Sequence, residues 1–354
     1  LQIINGKDEI MEYDLEQLMK GREELTKQGG RNVCEAAHRF ELVNLLRNMG
    51  VYPYYFELSR NDGPTAVAGD RELLMFGSNN YLALTQHPDV TSAAARACTQ
   101  LGTSMTGSRL LNGTATYHVN LEADIAKFVG KEAALVATTG YQANVGLLSA
   151  LLTRNCVAVL DRYCHASIVD GCRVAEAEIR YFKHNDSNDL GKVLAGIDKD
   201  RGVLVVADGV YSMEGDIADL PGIVQQAHAV NARVMVDDAH GLGVLGRGGR
   251  GTEDHFGLTT QVDLIVGTFS KSLASIGGFI AGKASVIDYV KHFGRPLLFS
   301  ASASPSAVAA ASAALNVLRN HPEMVERLAS NAVYWRNGLK SMGLNVGSSS
   351  TPIC

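Results

Sequence analysis

Three short segments carry residues whose types invite chemistry: Thr268-Phe269-Ser270-Lys271-Ser272, Val236-Asp237-Asp238-Ala239-His240-Gly241 and His165-Ala166-Ser167. Lys271 has small neighbours in Thr268, Ser270, Ser272 and Ala274, which leaves room for a bulky group at its amine. An amine, a carboxylate and imidazoles together suit pyridoxal phosphate. That cofactor needs a lysine for the imine and an acid that keeps the pyridine nitrogen protonated. It also needs a flat group against the ring and donors for the phosphate. Lys271 meets the first need. Asp237 meets the second, because a charge-assisted bond raises the pKa of the ring nitrogen. His165 suits stacking on the ring and orienting a substrate carboxylate, and His240 suits donation to the phenolic oxygen. For the phosphate, Gly140-Tyr141 opens a helical stretch whose first amides can receive a dianion, and Ser212 and Thr268 add hydroxyls. The loop from Gly102 to Arg109 (Gly-Thr-Ser-Met-Thr-Gly-Ser-Arg) is a second candidate cradle.

Taken singly, these residues have plainer readings. Lys271 could be a surface lysine in a Ser/Gly loop, Asp237 a helix N-cap and His165 a satisfied structural histidine. A metal held by His165, His240 and Asp237 would leave Lys271 without a role, so no metal is expected. What favours the cofactor is where the residues fall.

Short β-rich apolar runs at 134–137, 156–160, 203–207, 234–236 and 264–266 alternate with segments of helical length. Such runs predict an α/β fold with a mostly parallel sheet covered by helices on both faces. Ligands in these sheets bind beyond the carboxyl ends of the strands. Here those ends read Thr138-Thr139-Gly140-Tyr141, Asp161-Arg162-Tyr163-Cys164-His165, Asp208-Gly209, Asp237-Asp238-Ala239-His240 and Gly267-Thr268-Phe269-Ser270-Lys271. Polar ends in succession imply one site along one sheet edge. The large domain is expected over 61–295. Residues 1–60 read as a helical arm or linker. Residues 296–354, with long helical patterns at 305–319 and 322–342 and a strand beginning near Ser348, read as the start of a small C-terminal domain that is incomplete.

The net charge of −5 offers no basic footprint for nucleic acid. No apolar run approaches the length of a transmembrane helix, and no signal peptide opens the chain. Six cysteines without C-x-x-C spacing read as reduced thiols in a cytoplasmic protein.

These motifs, with Asp208-Gly209-Val210-Tyr211-Ser212-Met213-Glu214-Gly215-Asp216, resemble the α-oxoamine synthases from about residue 45 to the end. The resemblance implies a fold-type-I pyridoxal-phosphate transferase, aspartate-aminotransferase-like, working as a homodimer with shared active sites. It implies Lys271 as the Schiff-base lysine, Asp237 at the ring nitrogen, His165 on the ring and His240 at the phenolic oxygen. Ser212, Thr268 and the Gly140-Tyr141 amides fall in the cofactor-anchoring set, and Ser300 in the segment that reaches the phosphate from the neighbouring subunit. Asn79 or Asn80 lies where the family contacts substrate, and Arg109 near the acyl-thioester entrance.

The implied reaction is a decarboxylative Claisen-type condensation of an amino acid with an acyl thioester, giving an α-amino ketone, carbon dioxide and free thiol. Phe76-Gly77-Ser78-Asn79 and Gly107-Ser108-Arg109-Leu110-Leu111-Asn112-Gly113-Thr114 resemble the bacterial serine palmitoyltransferase branch, which suggests L-serine and a long-chain acyl-CoA. The 8-amino-7-oxononanoate synthase and 2-amino-3-ketobutyrate CoA ligase branches share most of these residues. A carrier-protein acyl donor and an aminotransferase are further alternatives. One departure stands out: Ala83 occupies a position after Tyr-Leu where the family usually shows glycine.

Overall fold

The computed structural model describes residues 2–4, 10–12, 31–38, 40–52 and 54–354. The chain divides into two compact units, one of Leu1–Asn61 with Thr65–Leu74 and one of Asp62–Pro64 with Met75–Cys354.

In the first unit, strands β1 (Gln2–Ile4) and β2 (Ile10–Glu12) pair antiparallel. This corrects the helical expectation there. β-branched Ile3, Ile4 and Ile10 lose side-chain freedom in a helix and suit a strand. Residues 13–30 of the expected helical arm lie outside the described residues. Farther along, helices form at Glu35–His38 and Leu42–Asn48. Strands β3 (Arg60–Asn61), β4 (Thr65–Ala68) and β5 (Arg71–Leu74) form an antiparallel sheet.

The second unit is built on a seven-stranded sheet of β6 (Ala133–Ala137), β7 (Cys156–Asp161), β8 (Glu178–Phe182), β9 (Gly202–Asp208), β10 (Arg233–Asp237), β11 (Leu264–Thr268) and β12 (Gly278–Gly282). Their order is β6-β12-β11-β10-β9-β7-β8. All pairs are parallel except those of β12, which runs antiparallel to both β11 and β6. The five predicted strands are present. β8 and β12 join them.

Successive residues of a strand face opposite sides of a sheet, and the apolar runs therefore feed two cores. Val136, Val159, Val205, Val234, Val236 and Ile265 pack on one side. Leu135, Leu160, Val206, Met235 and Val266 pack on the other. With both faces dry, the polar residues at the strand ends have one direction left, toward the carboxyl edge.

The helix Pro305–Asn320 contributes Val308, Ala311, Leu315 and Leu318 to the first of these cores. Residues 296–354 thus belong to the same compact unit as the sheet. No strand forms at Ser348–Cys354, contrary to expectation. The segment bonds to a loop carbonyl instead: Thr351 Oγ1 donates to Gly215 O at 2.8 Å and Ser350 N at 3.2 Å. Among the described residues, no helix is long and apolar enough to cross a membrane.

Candidate active site

Sheet register gathers the site. Asp237 pairs with Asp208 across β10 and β9, and Thr268 pairs with Gly278, which in turn pairs with Ala137. The carboxyl ends of β6, β9, β10 and β11 thereby open on one cavity of about 300 Å³. Gly140, Tyr141, His165, Asp237, His240, Thr268 and Lys271 all line it, together with Asn144, Ser167 and Asp208. Ser212, Ser300, Asn79, Asn80 and Arg109 are not in that lining.

Lys271 sits in the turn between β11 and β12. Burial pushes its amine below the ordinary lysine range, while the carboxylates of Asp237 and Asp208 pull the other way. Asp208 is lifted well above the usual carboxylate range by burial and by the charge of Asp237 beside it. The cavity therefore mixes a weakened ammonium with a carboxyl reluctant to ionise.

Asp237 is fixed from two sides. Its Oδ2 accepts from Asn144 Nδ2 at 2.7 Å and its Oδ1 from Ala239 N at 3.1 Å. Asn144 also donates to Ser167 Oγ at 2.9 Å, and that hydroxyl lies 2.7 Å from His165 Nδ1. His165 caps the helix Ala166–Val174, its side chain accepting from Ser167 N. His165 thus serves as a structural cap while lining the cavity.

His240 Nδ1 meets Tyr81 Oη at 2.7 Å. Burial drives the imidazole down to about 3, and the charge of Lys271 adds to the effect. Burial also lifts the Tyr81 phenol far above its ordinary range. The phenol keeps its proton and, having no other acceptor within hydrogen-bond distance among the described residues, points it at Nδ1. The tautomer that remains carries its hydrogen on Nε2, a neutral donor. Asp238, by contrast, faces away from this chemistry: it accepts from Thr252 N at 2.8 Å and Thr252 Oγ1 at 2.6 Å.

The helix Gly140–Leu151 begins at the cavity, capped by Thr139, whose side chain accepts from Gln142 N. A Cβ at Gly140 would come within 3.1 Å of the Thr268 side chain, and one at Gly278 within 2.7 Å of Gly140 Cα. Glycine at both positions leaves the first amides of the helix bare, a cradle for an anionic group. Thr268 Oγ1 and Ser270 Oγ stand 2.7 Å apart beside it.

The remaining predicted residues lie elsewhere. Arg109 forms a two-pronged bond to Glu122, at 2.6 and 3.1 Å, and lines a separate cavity. Asn80 Nδ2 donates to Thr85 Oγ1 at 2.8 Å, and its neighbour Tyr81 reaches the site through His240. Ser212 lies just past Val210, which does line the cavity. Ser300 lies near Ser302, whose N donates to Gly107 O at 2.9 Å. Asn144, Ser167, Asp208 and Tyr81 were not among the predicted site residues. No local motif marks them, because strand register and helix phase bring them in.

A family model for aminotransferase class I and II matches residues 71–354. The chain is 44% identical over 321 residues to a serine palmitoyltransferase of Sphingobacterium spiritivorum, covering 91% of this chain and 80% of that protein. The chain belongs to the α-oxoamine synthase family. An 8-amino-7-oxononanoate synthase of Thermoanaerobacter pseudethanolicus is 41% identical, covering 88% of this chain and 80% of that protein. Among solved structures, the serine palmitoyltransferase of S. paucimobilis with a bound PLP–myriocin aldimine superposes with a TM-score of 0.87 at 37% identity, covering 90% of this chain and 81% of that one. The protein is thus a pyridoxal-phosphate-dependent α-oxoamine synthase with the aminotransferase class I fold. Its residues fit the cofactor: a buried amine, a fixed carboxylate, two imidazoles and a glycine cradle share one cavity.

Proposed function

We propose that this synthase condenses L-serine with a long-chain acyl-CoA, releasing carbon dioxide and free coenzyme A. The observation that carries the reading is the convergence of Lys271, Asp237, His165 and His240 on one cavity beneath the amides of Gly140 and Tyr141. Identities reach 46% over 90% of this chain among the serine palmitoyltransferases and 44% over 84% of it among the 8-amino-7-oxononanoate synthases, and this margin supports the choice of serine.

When bound, pyridoxal phosphate supplies a pyridinium that withdraws electrons from the amino acid's α-carbon. Asp237 holds the proton at the pyridine nitrogen. His240 donates from Nε2 to the phenolic oxygen. The Gly140 and Tyr141 amides, Thr268 and Ser212 take the phosphate. Lys271 carries the cofactor at rest, and its amine removes the α-proton and later returns one. Burial favours this, since an amine pushed below its ordinary range is more readily a base at neutral pH. His165 holds the substrate carboxylate until carbon dioxide leaves. Asn79 or Asn80 meets the amino acid.

The protein acts as a homodimer, with Ser300 reaching the partner's phosphate. Leu111 (80% exposed) and Phe299 (77% exposed) support a covered face beside Gly107 and Ser300.

The test is a visible-absorbance titration of the cofactor-loaded protein with L-serine, L-alanine and glycine separately. A band shift saturating at lowest concentration with L-serine supports the reading, and preference for L-alanine moves it to the oxononanoate branch. A Lys271→Ala protein that keeps the parent's resting band would overturn the role of the lysine.

A further inference from the structure

The helix Gly140–Leu151 carries a buried amide, Asn144, that touches both halves of the site. It is 2% exposed, and Ser167 is fully buried. Both hydrogens of Asn144 Nδ2 are used, one on Asp237 Oδ2 at 2.7 Å and one on Ser167 Oγ at 2.9 Å. The orientation is forced. With the amide reversed, Asn144 Oδ1 would face a carboxylate, acceptor against acceptor. In the orientation observed, Oδ1 is buried without a hydrogen-bond partner among the described residues. An unsatisfied buried acceptor is unfavourable, so the arrangement is held for what its donors do.

The next link follows from counting hydrogens. Ser167 Oγ accepts from Asn144, which leaves its own hydrogen for His165 Nδ1 at 2.7 Å. Ser167 N also points at Nδ1, at 3.3 Å. Two donors on one ring nitrogen require that nitrogen to be the acceptor. The imidazole hydrogen is then on Nε2.

We propose that Asn144 and Ser167 are positioning residues, forming a relay Asp237–Asn144–Ser167–His165 that fixes the Asp237 carboxylate and holds His165 as the Nε2–H tautomer. The proposal rests on the reading of Asp237 and His165 given above. One amide thus sets the direction of the acid that serves the cofactor and of the donor that serves the amino acid. The two ends of the relay separate by function. Removing Asn144 disturbs both. Removing the Ser167 hydroxyl leaves the Asn144–Asp237 bond in place and loosens the histidine.

The experiment uses the whole protein and two binding readouts, pyridoxal phosphate affinity by fluorescence titration and L-serine affinity by the visible band shift. Asn144→Ala is expected to weaken the cofactor about tenfold, the scale of one hydrogen bond to a charged group. Ser167→Ala is expected to leave cofactor affinity within about twofold and weaken L-serine about fivefold to tenfold. A thermal melt of each variant separates this crossed pattern from general loosening, which would lower both affinities together with Tm. Asn144→Ala with unchanged cofactor affinity, or Ser167→Ala with unchanged L-serine affinity, overturns the relay. Asp237→Asn is the control. If it too leaves the cofactor affinity unchanged, the reading of Asp237 has failed; if it alone weakens binding, the relay has failed and that reading stands.

Discussion

Tyr81 Oη and His240 Nδ1 lie 2.7 Å apart although 159 positions separate them in the chain. The contact ties the segment after Ser78-Asn79-Asn80 to the strand end that carries Asp237. It also sets which nitrogen of His240 bears the hydrogen.

Tyr81→Phe removes the donor and leaves the ring. His240 then has a free choice of tautomer, and Nε2 no longer donates obligatorily to the cavity. Cofactor affinity is expected to fall about threefold to tenfold, the value of about one hydrogen bond. A fluorescence titration measures it. Affinity unchanged in the variant would mean that His240 is oriented by something else.

Acid sensitivity has opposing sources, of which His240 and Asp238 are two. His240 sits at about 3 in the folded protein because of burial, and near 6.5 in an unfolded chain. The unfolded chain takes its proton first, so this contribution is whole above about pH 6.5 and drains away as pH falls toward 3. Asp238 is raised by burial to about 6, so its contribution is whole below about pH 3.8 and is lost as pH rises through 6. Between about pH 4 and 6 the two slopes offset each other. His240→Asn removes one of them. Stability of that variant relative to the parent is expected to rise on acidification below about pH 6.5, by up to about 1.4 kcal/mol per pH unit. Urea unfolding of the cofactor-free proteins at several pH values reads the difference. A difference constant with pH would show that the histidine is not buried neutral.

Arg109 is expected to matter for stability rather than for the acyl thioester. Its partner Glu122 also accepts from Val136 N at 2.9 Å, which ties the pair to β6. The side chains are 12% and 14% exposed. Arg109→Ala leaves a shielded carboxylate uncompensated and should cost about 3 kcal/mol by urea unfolding, with Arg109→Lys rescuing little because the fork is lost. Loss of acyl-CoA affinity without loss of stability would restore Arg109 to the acyl-thioester entrance.

Ala83 has φ 55° and ψ 34°, the left-handed region. This explains why glycine suits the position, and it predicts that Ala83→Gly stabilises the protein. The gain should be about 0.5–1 kcal/mol, since relief of the Cβ clash outweighs the extra freedom of the unfolded chain. A higher midpoint in urea is the expected result. A lower one would mean that the methyl group's packing is worth more than the strain.

The strand ends were legible in the sequence because each apolar run stops abruptly at a polar or glycine residue, and a two-sided core forces those residues to the edge. Lys271, Asp237, His165, His240, Gly140 and Thr268 could be read that way. β12 could not: Gly278-Phe279-Ile280-Ala281-Gly282 is flanked and opened by glycine, and reads as a loop until Gly140 and Gly267 crowd it. β8, Glu178-Ile179-Arg180-Tyr181-Phe182, is a polar edge strand with a weak apolar signal. Asn144 was hidden for another reason. It sits within an apolar helix, where spacing alone gives no sign that its amide meets a strand end. Ser212, in the Asp208–Asp216 motif, and Ser300 lie in other segments, and neither lines the cavity.

The turn that carries Lys271 joins β11 directly to β12, and it is bonded across itself. Phe269 N donates to Gly277 O at 2.9 Å, Ser275 N to Phe269 O at 2.9 Å, and Ala274 N to Lys271 O at 3.0 Å. A hairpin closed over so few residues loses little entropy in forming, and each end is continuous with a strand of the central sheet. The main chain beneath the amine is therefore anchored. Whatever travel the amine makes during a catalytic cycle has to come from rotation about the side-chain bonds of Lys271, a swinging arm on a fixed post.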